Sequence, residues 1–345
     1  YTAVAYTAGI RSVFHRKKRS TVHYVHSNRK GDVMLKYVLK RLGYILVTLW
    51  VIVTCTFFMM KNLPGTPFDA ERFSIMTPQQ QERVLEMYGL NDSLPMQYVK
   101  YIKNMLKGDL GTSFTYVNQD VSKVITGRLG PSALIGIQAV LIGLAIGLIL
   151  GILAAWKHNS GIDYFTMILA VLGVSVPNFV AAALLQYYIG LKWGALPVGF
   201  WTGWNCSVLP SIALSFSATA MVARFMRTEM LDVLDQDYIV TARAKGLSQM
   251  KVLMRHAVRN SILPVVTILG PIVVNLMTGS LAVENIFSIP GIGSLFVDCI
   301  KANDYPVIMG ITIFYAAFYM LIVLLVDLAY SLIDPRIRLA KGKES

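Results

Sequence analysis

The sequence lacks the short motifs with which a chain holds nucleotide phosphates or hydrolyses a bond. It contains no GxxxxGK[ST] loop, no HExxH and no GxSxG, and no aspartate pair lies within its apolar segments. Without a phosphate loop the chain has no candidate site for ATP, and without a catalytic set it has no candidate for intramembrane hydrolysis. We therefore expect a non-catalytic protein that needs no cofactor.

Cysteine and charged residues are also scarce. The three cysteines, Cys55, Cys206 and Cys299, are an odd number without CxxC spacing, which indicates neither a disulfide framework nor a metal site. Only 15% of the residues are charged. Glu284 and Asp327 lie near the ends of apolar segments, where capping or snorkelling is expected rather than transport chemistry. Few deep charges and no inverted repeats make an ion-coupled secondary carrier the weaker hypothesis.

Apolar sequence is what the chain has in abundance, with 55% hydrophobic residues and a mean hydropathy of +0.55. A helix needs about 20 apolar residues to cross a bilayer, and six stretches approach or exceed that length. We therefore predict an all-α membrane protein with six transmembrane helices. The stretches are Leu42–Met60, Gly130–Trp156, Tyr164–Leu191, one from about Val208 to Ala223, Asn260–Val283 and Tyr305–Val326.

The net charge of +13 is concentrated before the first predicted helix. Residues 1–41 hold ten Lys and Arg against Asp32 alone, and a basic flank marks the cytoplasmic side of a first span. The concentration of basic residues beside the first span therefore indicates orientation and argues against nucleic acid as a partner. Six spans then place both termini in the cytoplasm. Residues 1–33 show no periodicity and precede Met34, so we expect a non-native or disordered basic extension.

A long segment, Lys61–Arg128, separates the first two predicted helices on the outside of the membrane. Its residues Thr77 to Gln80 form a capping box with proline at the first helical position, and Gly89 marks the helix end. A second helix is expected from about Pro95 to Gly108. We predict an ordered extracytoplasmic lobe that docks a soluble partner or covers a pore mouth; a loop without such a role is the alternative.

Glycine and proline mark special positions within the predicted helices. Three glycines spaced four apart on the second helix allow a neighbouring helix to approach closely. Pro177-Asn178 in the third helix, and Pro264 and Pro271 in the fifth, interrupt helical hydrogen bonding, which is tolerated beside neighbours or a water-filled cavity. These interruptions favour a conduit without establishing one. The glycines are Gly143, Gly147 and Gly151.

Between the fourth and fifth predicted helices lies a charged segment, residues 224–259, that is rich in small residues. Within Glu229–Gly246 the acidic residues precede the basic ones, an order that complements the dipole of a short helix. Gly246 ends this helix, and a second helix from about Ser248 leads back to the membrane. Three small residues give the first helix a surface that another protein can approach; a solvated hairpin is the alternative. They are Thr241, Ala242 and Ala244.

This segment resembles the cytoplasmic EAA loop of ABC importer permeases, which docks as a coupling helix in a groove of the ATPase subunit. Gly246 matches that motif's glycine, whereas Val240 stands at its leading glutamate and Leu263-Pro264 come later than in the general pattern. Both departures resemble the dipeptide/oligopeptide permeases, in which TARAKG replaces the acidic start. The resemblance implies ATPase coupling by Asp237, Thr241, Ala242, Arg243, Ala244, Lys245 and Gly246.

Four further segments carry the same resemblance over nearly the whole chain from Met34. The chain is therefore similar to the first of the two permeases in an oligopeptide-type ABC importer. We therefore predict residues 34–60 as the N-terminus and first span, 61–128 as the extracytoplasmic lobe, 129–333 as the permease core with the other five spans, and 334–345 as a cytoplasmic tail. The segments are NLPGTP (Asn62–Pro67), YGLNDSLPMQYVKYIKNMLKGDLGTSF (Tyr88–Phe114), ENIFSIPGIG (Glu284–Gly293) and DPRIR (Asp334–Arg338).

The resemblance also implies a location and partners. The chain would be a subunit of a bacterial inner membrane, surrounded by lipid, with a second homologous permease, two ATP-binding cassette ATPase subunits and an extracytoplasmic binding protein that delivers oligopeptides. The translocation path would run between the two permeases along the third and fifth helices, and Pro177, Asn178 and Asn275 are the candidates that line it; packing roles are the alternative. Dipeptides, nickel, glutathione or oligosaccharides are alternative substrates, because the binding protein mainly selects the cargo in that family.

Overall fold

A computed structural model gives the fold of residues 38–62, 73, 75–87, 89–116, 119–278 and 280–333. Across these residues the regular secondary structure is helical, apart from an isolated bridge between Thr112 and Asp120. The predicted all-α class is confirmed. The expected basic extension, the motif residues 63–67 and the predicted tail 334–345 lie outside the described residues.

Some helices of the described chain follow one another with short connections, whereas longer segments join Met105 to Val121 and Lys192 to Val208. We number the longer ones α1 to α12. They are α1 (Val38–Lys61), α2 (Pro78–Met87), α3 (Leu94–Met105), α4 (Val121–Trp156), α5 (Gly161–Ser175), α6 (Asn178–Leu185, extended by a π-helical Gln186–Lys192), α7 (Val208–Leu234), α8 (Asp237–Ala244), α9 (Arg259–Thr278, preceded by a π-helical Val252–Val258), α10 (Ser280–Ile286), α11 (Ile292–Lys301) and α12 (Tyr305–Ile333).

Five helical segments in the described part of the chain are long and apolar enough to cross a membrane, and the bent pair α5–α6 raises the number to six if it counts as one span. The prediction of an all-helical protein with six apolar spans agrees with this range. The chain divides into two compact units, Tyr1–Thr54 and Cys55–Ser345. In the first unit the described residues belong to α1, whose exposed Leu46 and Trp50 are typical of a helix surrounded by lipid.

Two helices extend beyond the apolar stretches that predicted them. Helix α4 begins at Val121 rather than at Gly130, so its first turns precede the apolar stretch that predicted it. Helix α7 continues past Ala223 to Leu234, so Glu229 belongs to its last turns. The prediction that Glu229–Gly246 contains a short helix is confirmed by α8, but the helix begins only at Asp237, so its expected acidic residues Glu229 and Asp232 belong to α7 instead.

The third and fifth predicted helices respond differently to proline. The break at Pro177-Asn178 is confirmed, since the axes of α5 and α6 differ by 101°. Val176 before the proline is extended, as steric contact with a proline ring favours. Helix α9, in contrast, runs through Pro264 and Pro271 without interruption, so the predicted break in the fifth helix is wrong. Each proline removes one backbone hydrogen bond, and the turns on both sides keep the helix continuous.

The core of the larger unit forms where α4 packs against α7. All three predicted glycines are buried at this contact, and a Cβ atom at Gly143 or Gly147 would lie 2.7 Å from the Cβ of Ala218 or Val222. A Cβ atom at Gly151 would lie 2.6 Å from a backbone carbonyl oxygen of α7. These distances leave no room for a side chain, so the predicted packing role of the glycines is confirmed.

The lobe contains the two predicted helices, α2 and α3. The backbone N–H of Thr77 donates to Oε1 of Gln80 at 2.9 Å, and the N–H of Gln80 donates to Oγ1 of Thr77 at 3.4 Å, which confirms the capping box. Gly89 after α2 has a φ of +65° and Gly108 after α3 a φ of +83°. Both glycines therefore stand where the chain leaves a helix in a left-handed conformation.

Candidate functional site

The charged segment between α7 and α9 folds as a helical hairpin whose first arm is α8. Gln236 is extended and precedes the helix, with Asp237 in the first turn and Arg243 in the last, so the side-chain charges complement the helix dipole. Gly246 has a φ of +76°, and a Cβ atom there would meet nothing within 4 Å. The glycine is needed for its conformation rather than for space.

One face of α8 is buried within the hairpin. Ile239 is 0% and Ala242 is 5% exposed, and both pack with Val252 and with Val233 and Leu234. The prediction that Ala242 contributes to a surface for another protein is therefore wrong. A helix of eight residues has only about two turns, and the apolar Val252 of the second arm takes the face on which Ala242 lies.

The other face of α8 is open. Val240 is 60% and Tyr238 is 42% exposed, although both have large apolar surfaces. Successive residues of a helix are about 100° apart around its axis, so Tyr238 and Val240 lie on opposite flanks of the open face, and Asp237, Thr241 and Ala244 lie between them. The other predicted coupling residues lie exposed on it or directly after it: Asp237, Thr241, Arg243, Ala244, Lys245 and Gly246.

Hydrogen bonds connect the hairpin to the spans on either side. Nδ2 of Asn260 donates to the hydroxyl oxygen of Tyr238 at 3.2 Å, which joins α8 to the first turn of α9. Oγ of Ser261 donates to the carbonyl oxygen of Glu229 at 3.3 Å, which joins α9 to the end of α7. A displacement of α8 would therefore act on α9 through Tyr238 and on both spans through the apolar cluster.

An ion pair with a buried carboxylate lies near the same end of α7. Asp163 in the first turn of α5 is 2% exposed and receives two hydrogen bonds from Arg227, at 2.5 Å from Nε and 2.7 Å from Nη2. The N–H of Asn159 donates to it at 3.0 Å, and Nδ1 of His158 lies 3.1 Å away. The pair holds the turn between α4 and α5 against α7. Sequence reasoning missed it, because no local pattern links two residues so far apart.

Two carboxylates are buried at the other end of the bundle, and the first belongs to α10. Glu284 is 0% exposed, accepts a hydrogen bond from Oγ of Ser132 at 2.7 Å and accepts the N–H of Ser294 at 3.0 Å. It caps α11 and touches Gly291 so closely that no side chain fits there. The predicted capping role is confirmed for Glu284 and the snorkelling alternative is wrong; the side chain of Asp327 lies outside the described residues.

The second buried carboxylate is Asp304, directly before α12. It is 0% exposed and accepts the backbone N–H groups of Phe114 at 3.2 Å and Thr115 at 3.0 Å. The hydroxyl of Ser113 also donates to it, and the N–H of Val307 lies 3.4 Å from it. Asp304 thus fastens the last segment of the lobe to the start of the last span, a role that its position in the sequence did not reveal.

Gln186 makes further hydrogen bonds at this end, and sequence reasoning did not predict them. It stands where α6 becomes π-helical, and its Nε2 donates to the carbonyl oxygens of Val198 at 2.6 Å and Ile286 at 2.8 Å. The N–H of Phe200 donates to the carbonyl oxygen of Phe287 at 2.9 Å. The bent pair, the loop after it and the end of α10 are therefore held together.

The three predicted path residues are not brought together in one cavity. Pro177 is exposed at the bend and Asn178 is half-buried beside it. Asn275 is exposed and lines a groove of about 90 Å³ between α7 and α9, and Pro271 lies on the same groove. Neither Pro177 nor Asn178 is among the residues that line this groove.

Comparison with known proteins assigns most of the chain to two family models. The model described as "Binding-protein-dependent transport system inner membrane component" matches residues 147–339, and the model of the corresponding N-terminal region matches residues 34–130. The chain is 46% identical over 306 residues to the dipeptide transport system permease protein of Lactococcus lactis subsp. cremoris, with 89% of this chain and 100% of the relative covered.

Two more relatives are similar over almost their whole length. The dipeptide transport system permease protein of Bacillus subtilis is 43% identical over 310 residues, which cover 89% of this chain and 99% of the relative. The oligopeptide transport system permease protein of Haemophilus influenzae is 39% identical over 307 residues, which cover 88% of this chain and 100% of the relative. This chain therefore spans its curated relatives in full.

Proposed function

The chain belongs to the family of binding-protein-dependent transport system inner membrane components, and from this premise we propose how its parts serve the import of peptides. As a member it is a non-catalytic, multi-pass permease subunit of an ATP-driven peptide importer. It works with ATPase and substrate-binding partners, which supply the energy and the cargo that this chain does not supply itself. We propose two ATPase subunits and a second, homologous permease as the full assembly.

The ATPase subunit docks on the open face of α8. The observation that supports this assignment is the glycine-terminated helix whose open face carries the small Thr241 and Ala244 between the exposed Tyr238 and Val240. Its buried face rests on Val252 of the second arm, and Asn260 contacts Tyr238 at the start of α9. A push on α8 by the ATPase is therefore transmitted to both α7 and α9.

The lobe docks the binding protein. Helix α3 has no buried residue, and large apolar side chains stand exposed on and beside the lobe helices, with Ile75 at 82% and Leu106 at 78%. Exposed apolar residues of this size are a common feature of binding surfaces. Asp304 ties the lobe to α12, so a load applied by a docked protein reaches the last span.

The cargo is a short peptide. The relatives are named for dipeptide and for oligopeptide transport, at 46% and 39% identity, and no residue described here separates the two lengths. The path runs between this chain and the second permease, and the groove at Asn275 and the bend at Pro177 and Asn178 are its contributions. Cysteine at each of the three positions should make transport sensitive to bulky thiol reagents; full transport after complete labelling would remove that position from the path.

The hairpin is cytoplasmic and the lobe is outside, with both chain termini in the cytoplasm. The basic residues of the loop and of the N-terminal region support this orientation. Cysteines at Lys245 and at Lys103, both exposed, should react from opposite sides with a membrane-impermeant reagent in spheroplasts and in inverted vesicles. Labelling of both cysteines from one side would reject the orientation.

Cross-linking tests the coupling assignment directly. A cysteine at Val240 should form a disulfide with a cysteine on the ATPase surface in the assembled transporter, and one at Ala242 should not, because Ala242 is buried. Native cysteines give little background: Cys206 and Cys299 are buried, and burial raises the pKa of the Cys299 thiol to about 12. Exposed Cys55 is first replaced by serine. If Val240→Cys stays unlinked to every ATPase position tried, another surface receives the ATPase.

A further inference from the structure

A loop joins α6 to α7 at the end of the bundle where Gln186 lies, and it carries no charged residue. Lys192, just before it, is the single charged residue between Asp163 and Arg224. Because charged side chains are mostly exposed in proteins, a loop without any is unusual for a connection surrounded by water. Three of the five tryptophans of the chain lie in this loop instead. They are Trp193, Trp201 and Trp204.

The loop does not extend away from the helices that it joins. Nε2 of Gln186 donates to the carbonyl oxygen of Val198 at 2.6 Å, although Gln186 lies well before the end of its helix at Lys192. Gly190 also lies close to this part of the loop, since a Cβ atom there would be 2.7 Å from Cγ1 of Val198. The middle of the loop therefore lies beside the last turns of an apolar helix rather than beyond them.

Phe200 in this loop has a φ of +66°, a conformation that a large residue rarely adopts. Its N–H donates to the carbonyl oxygen of Phe287 at 2.9 Å, and a Cβ atom at Gly199 would lie 3.0 Å from the same oxygen. The chain after α10 thus fixes the backbone of the loop at this point. Phe200 nevertheless stays 68% exposed, so the unusual conformation does not serve to bury it.

Large aromatic side chains stand exposed before and after Phe200 in the sequence. Trp193 is 68% and Trp204 is 74% exposed, and Tyr187 and Tyr188 on the preceding helix are exposed as well. Trp and Tyr are enriched where a membrane meets water, because their rings are apolar and their N–H or O–H groups are polar. The loop stands at that level, since it joins the ends of two helical segments that are apolar enough to enter a membrane.

These observations identify a surface for lipid. We propose that residues 193–204 insert their exposed aromatic side chains into the bilayer interface on the lobe's side and anchor the loop there. Through Gln186 and Phe287 the anchor then fixes the depth of α6 and of the end of α10. A second permease fits this surface less well, because contacts between spans favour small residues, as Gly147 against Val222 shows in this chain.

Nitroxide labels test this placement in the assembled transporter in proteoliposomes, with partner subunits that lack accessible cysteines. Trp193→Cys and Trp204→Cys carry the label in turn, after exposed Cys55 is replaced by serine; Cys206 and Cys299 are buried. Electron paramagnetic resonance measures collision of the label with oxygen, which concentrates in hydrocarbon, and with a nickel chelate, which stays in water. Both labels should report a depth of about 5–10 Å below the headgroups.

Two exposed positions elsewhere in the chain calibrate this measurement. A label at Lys103 of the lobe should collide mainly with the nickel chelate, and one at Trp50 of α1 mainly with oxygen. A preference for the nickel chelate at either loop position, as at Lys103, would overturn the proposal and leave the loop to a soluble partner. Protection of either loop label from both reagents would also overturn it and would assign the surface to another subunit.

The native tryptophans allow a second measurement that keeps the aromatic side chains of the loop. A full-length chain with Trp50→Phe, Trp156→Phe and Trp201→Phe retains Trp193 and Trp204 as its tryptophans. In vesicles, lipids brominated near the headgroups should quench its fluorescence more than lipids brominated at the chain ends. Quenching by aqueous iodide without quenching by brominated lipid would contradict the anchor. Neither measurement uses transport, so its result is independent of the coupling assignment.

Discussion

Buried carboxylates hold the lobe end of the bundle, whereas the hairpin end presents α8 on a small apolar contact. Glu284 and Asp304 are 0% exposed, and each accepts hydrogen bonds from two separate parts of the chain. The contacts of α8 with the spans include an apolar cluster around Ile239 and Ala242 and one hydrogen bond to Tyr238. The comparison between the two ends indicates that hydrogen bonds to buried carboxylates make the lobe end rigid.

The ion pair between Asp163 and Arg227 sharpens this contrast. It lies at the hairpin end and is strongly hydrogen-bonded, but it joins α5 to α7 and makes no contact with α8. The spans are therefore fixed to one another at both ends, and the hairpin is attached to that fixed frame by weaker contacts. The coupling role that we propose for α8 needs such an attachment, because a helix locked by buried charge would resist displacement.

The largest effect is expected at the lobe end, from Asp304→Ala. The change leaves the N–H groups of Phe114 and Thr115 without their acceptor in a buried place, and it frees the end of the lobe. We expect a loss of about 3–5 kcal/mol, measured as thermal unfolding of the purified chain in detergent. Asp298→Ala removes an exposed acid from α11, the helix that precedes Asp304, and should have little effect. Equal stability of Asp304→Ala and Asp298→Ala would contradict the conclusion that the buried carboxylate holds the lobe end together.

The second effect should be smaller and lies at the hairpin end. Arg227→Met leaves Asp163 buried without its main partner, although Asn159 and His158 still contact the carboxylate. Arg227 is itself partly exposed, which reduces the loss, and we expect about 2–3 kcal/mol. The same replacement at the exposed Arg224 is the control. A wild-type unfolding temperature for Arg227→Met would show that this pair does not hold the spans together.

Local sequence patterns predicted the parts of this fold that depend on local chemistry. The capping box at Thr77, the left-handed Gly89 and the bend at Pro177 each follow from backbone rules within a few residues. The glycine face of α4 follows from the helical period, since Gly143 and Gly147 recur every four residues.

Contacts between distant residues could not be predicted in this way. Asp163 and Arg227 are 64 positions apart, and Ser113 and Asp304 are 191 apart, so their pairing depends on how the helices pack. The buried position of Ala242 was missed for the same reason. A helix as short as α8 does not reveal from its own sequence which face meets the second arm of the hairpin.

The third prediction compares the two faces of α8. Ala242→Trp overfills the cluster with Val252 and should destabilise the hairpin by about 1–3 kcal/mol, with transport lost through misplacement of α8. Ala244→Trp lies on the exposed face and should leave the unfolding temperature unchanged while it prevents close approach of the ATPase. Both variants should lose peptide-stimulated ATP hydrolysis in proteoliposomes. Normal coupling in Ala244→Trp would contradict the assignment of the exposed face.

The smallest effect should come from Gly246, where α8 ends. Its φ of +76° is unfavourable for a residue with a Cβ atom, and nothing lies within 4 Å of the place where that atom would be, so the effect of a substitution is conformational alone. Gly246→Val should therefore destabilise the turn by about 1–2 kcal/mol, whereas Gly246→Asn should be tolerated, because asparagine adopts left-handed conformations more readily.

We expect the valine variant to unfold at nearly the wild-type temperature, because the frame of spans does not depend on this turn. It should nevertheless transport less peptide for each ATP hydrolysed, because α8 is then presented at a wrong angle. The ratio of peptide imported to ATP hydrolysed, measured for both variants in the same proteoliposomes, separates this outcome from simple loss of folding. An unchanged ratio in Gly246→Val would mean that α8 functions even when the turn at its end is distorted. It would contradict the conclusion that transport depends on a precise position of the hairpin.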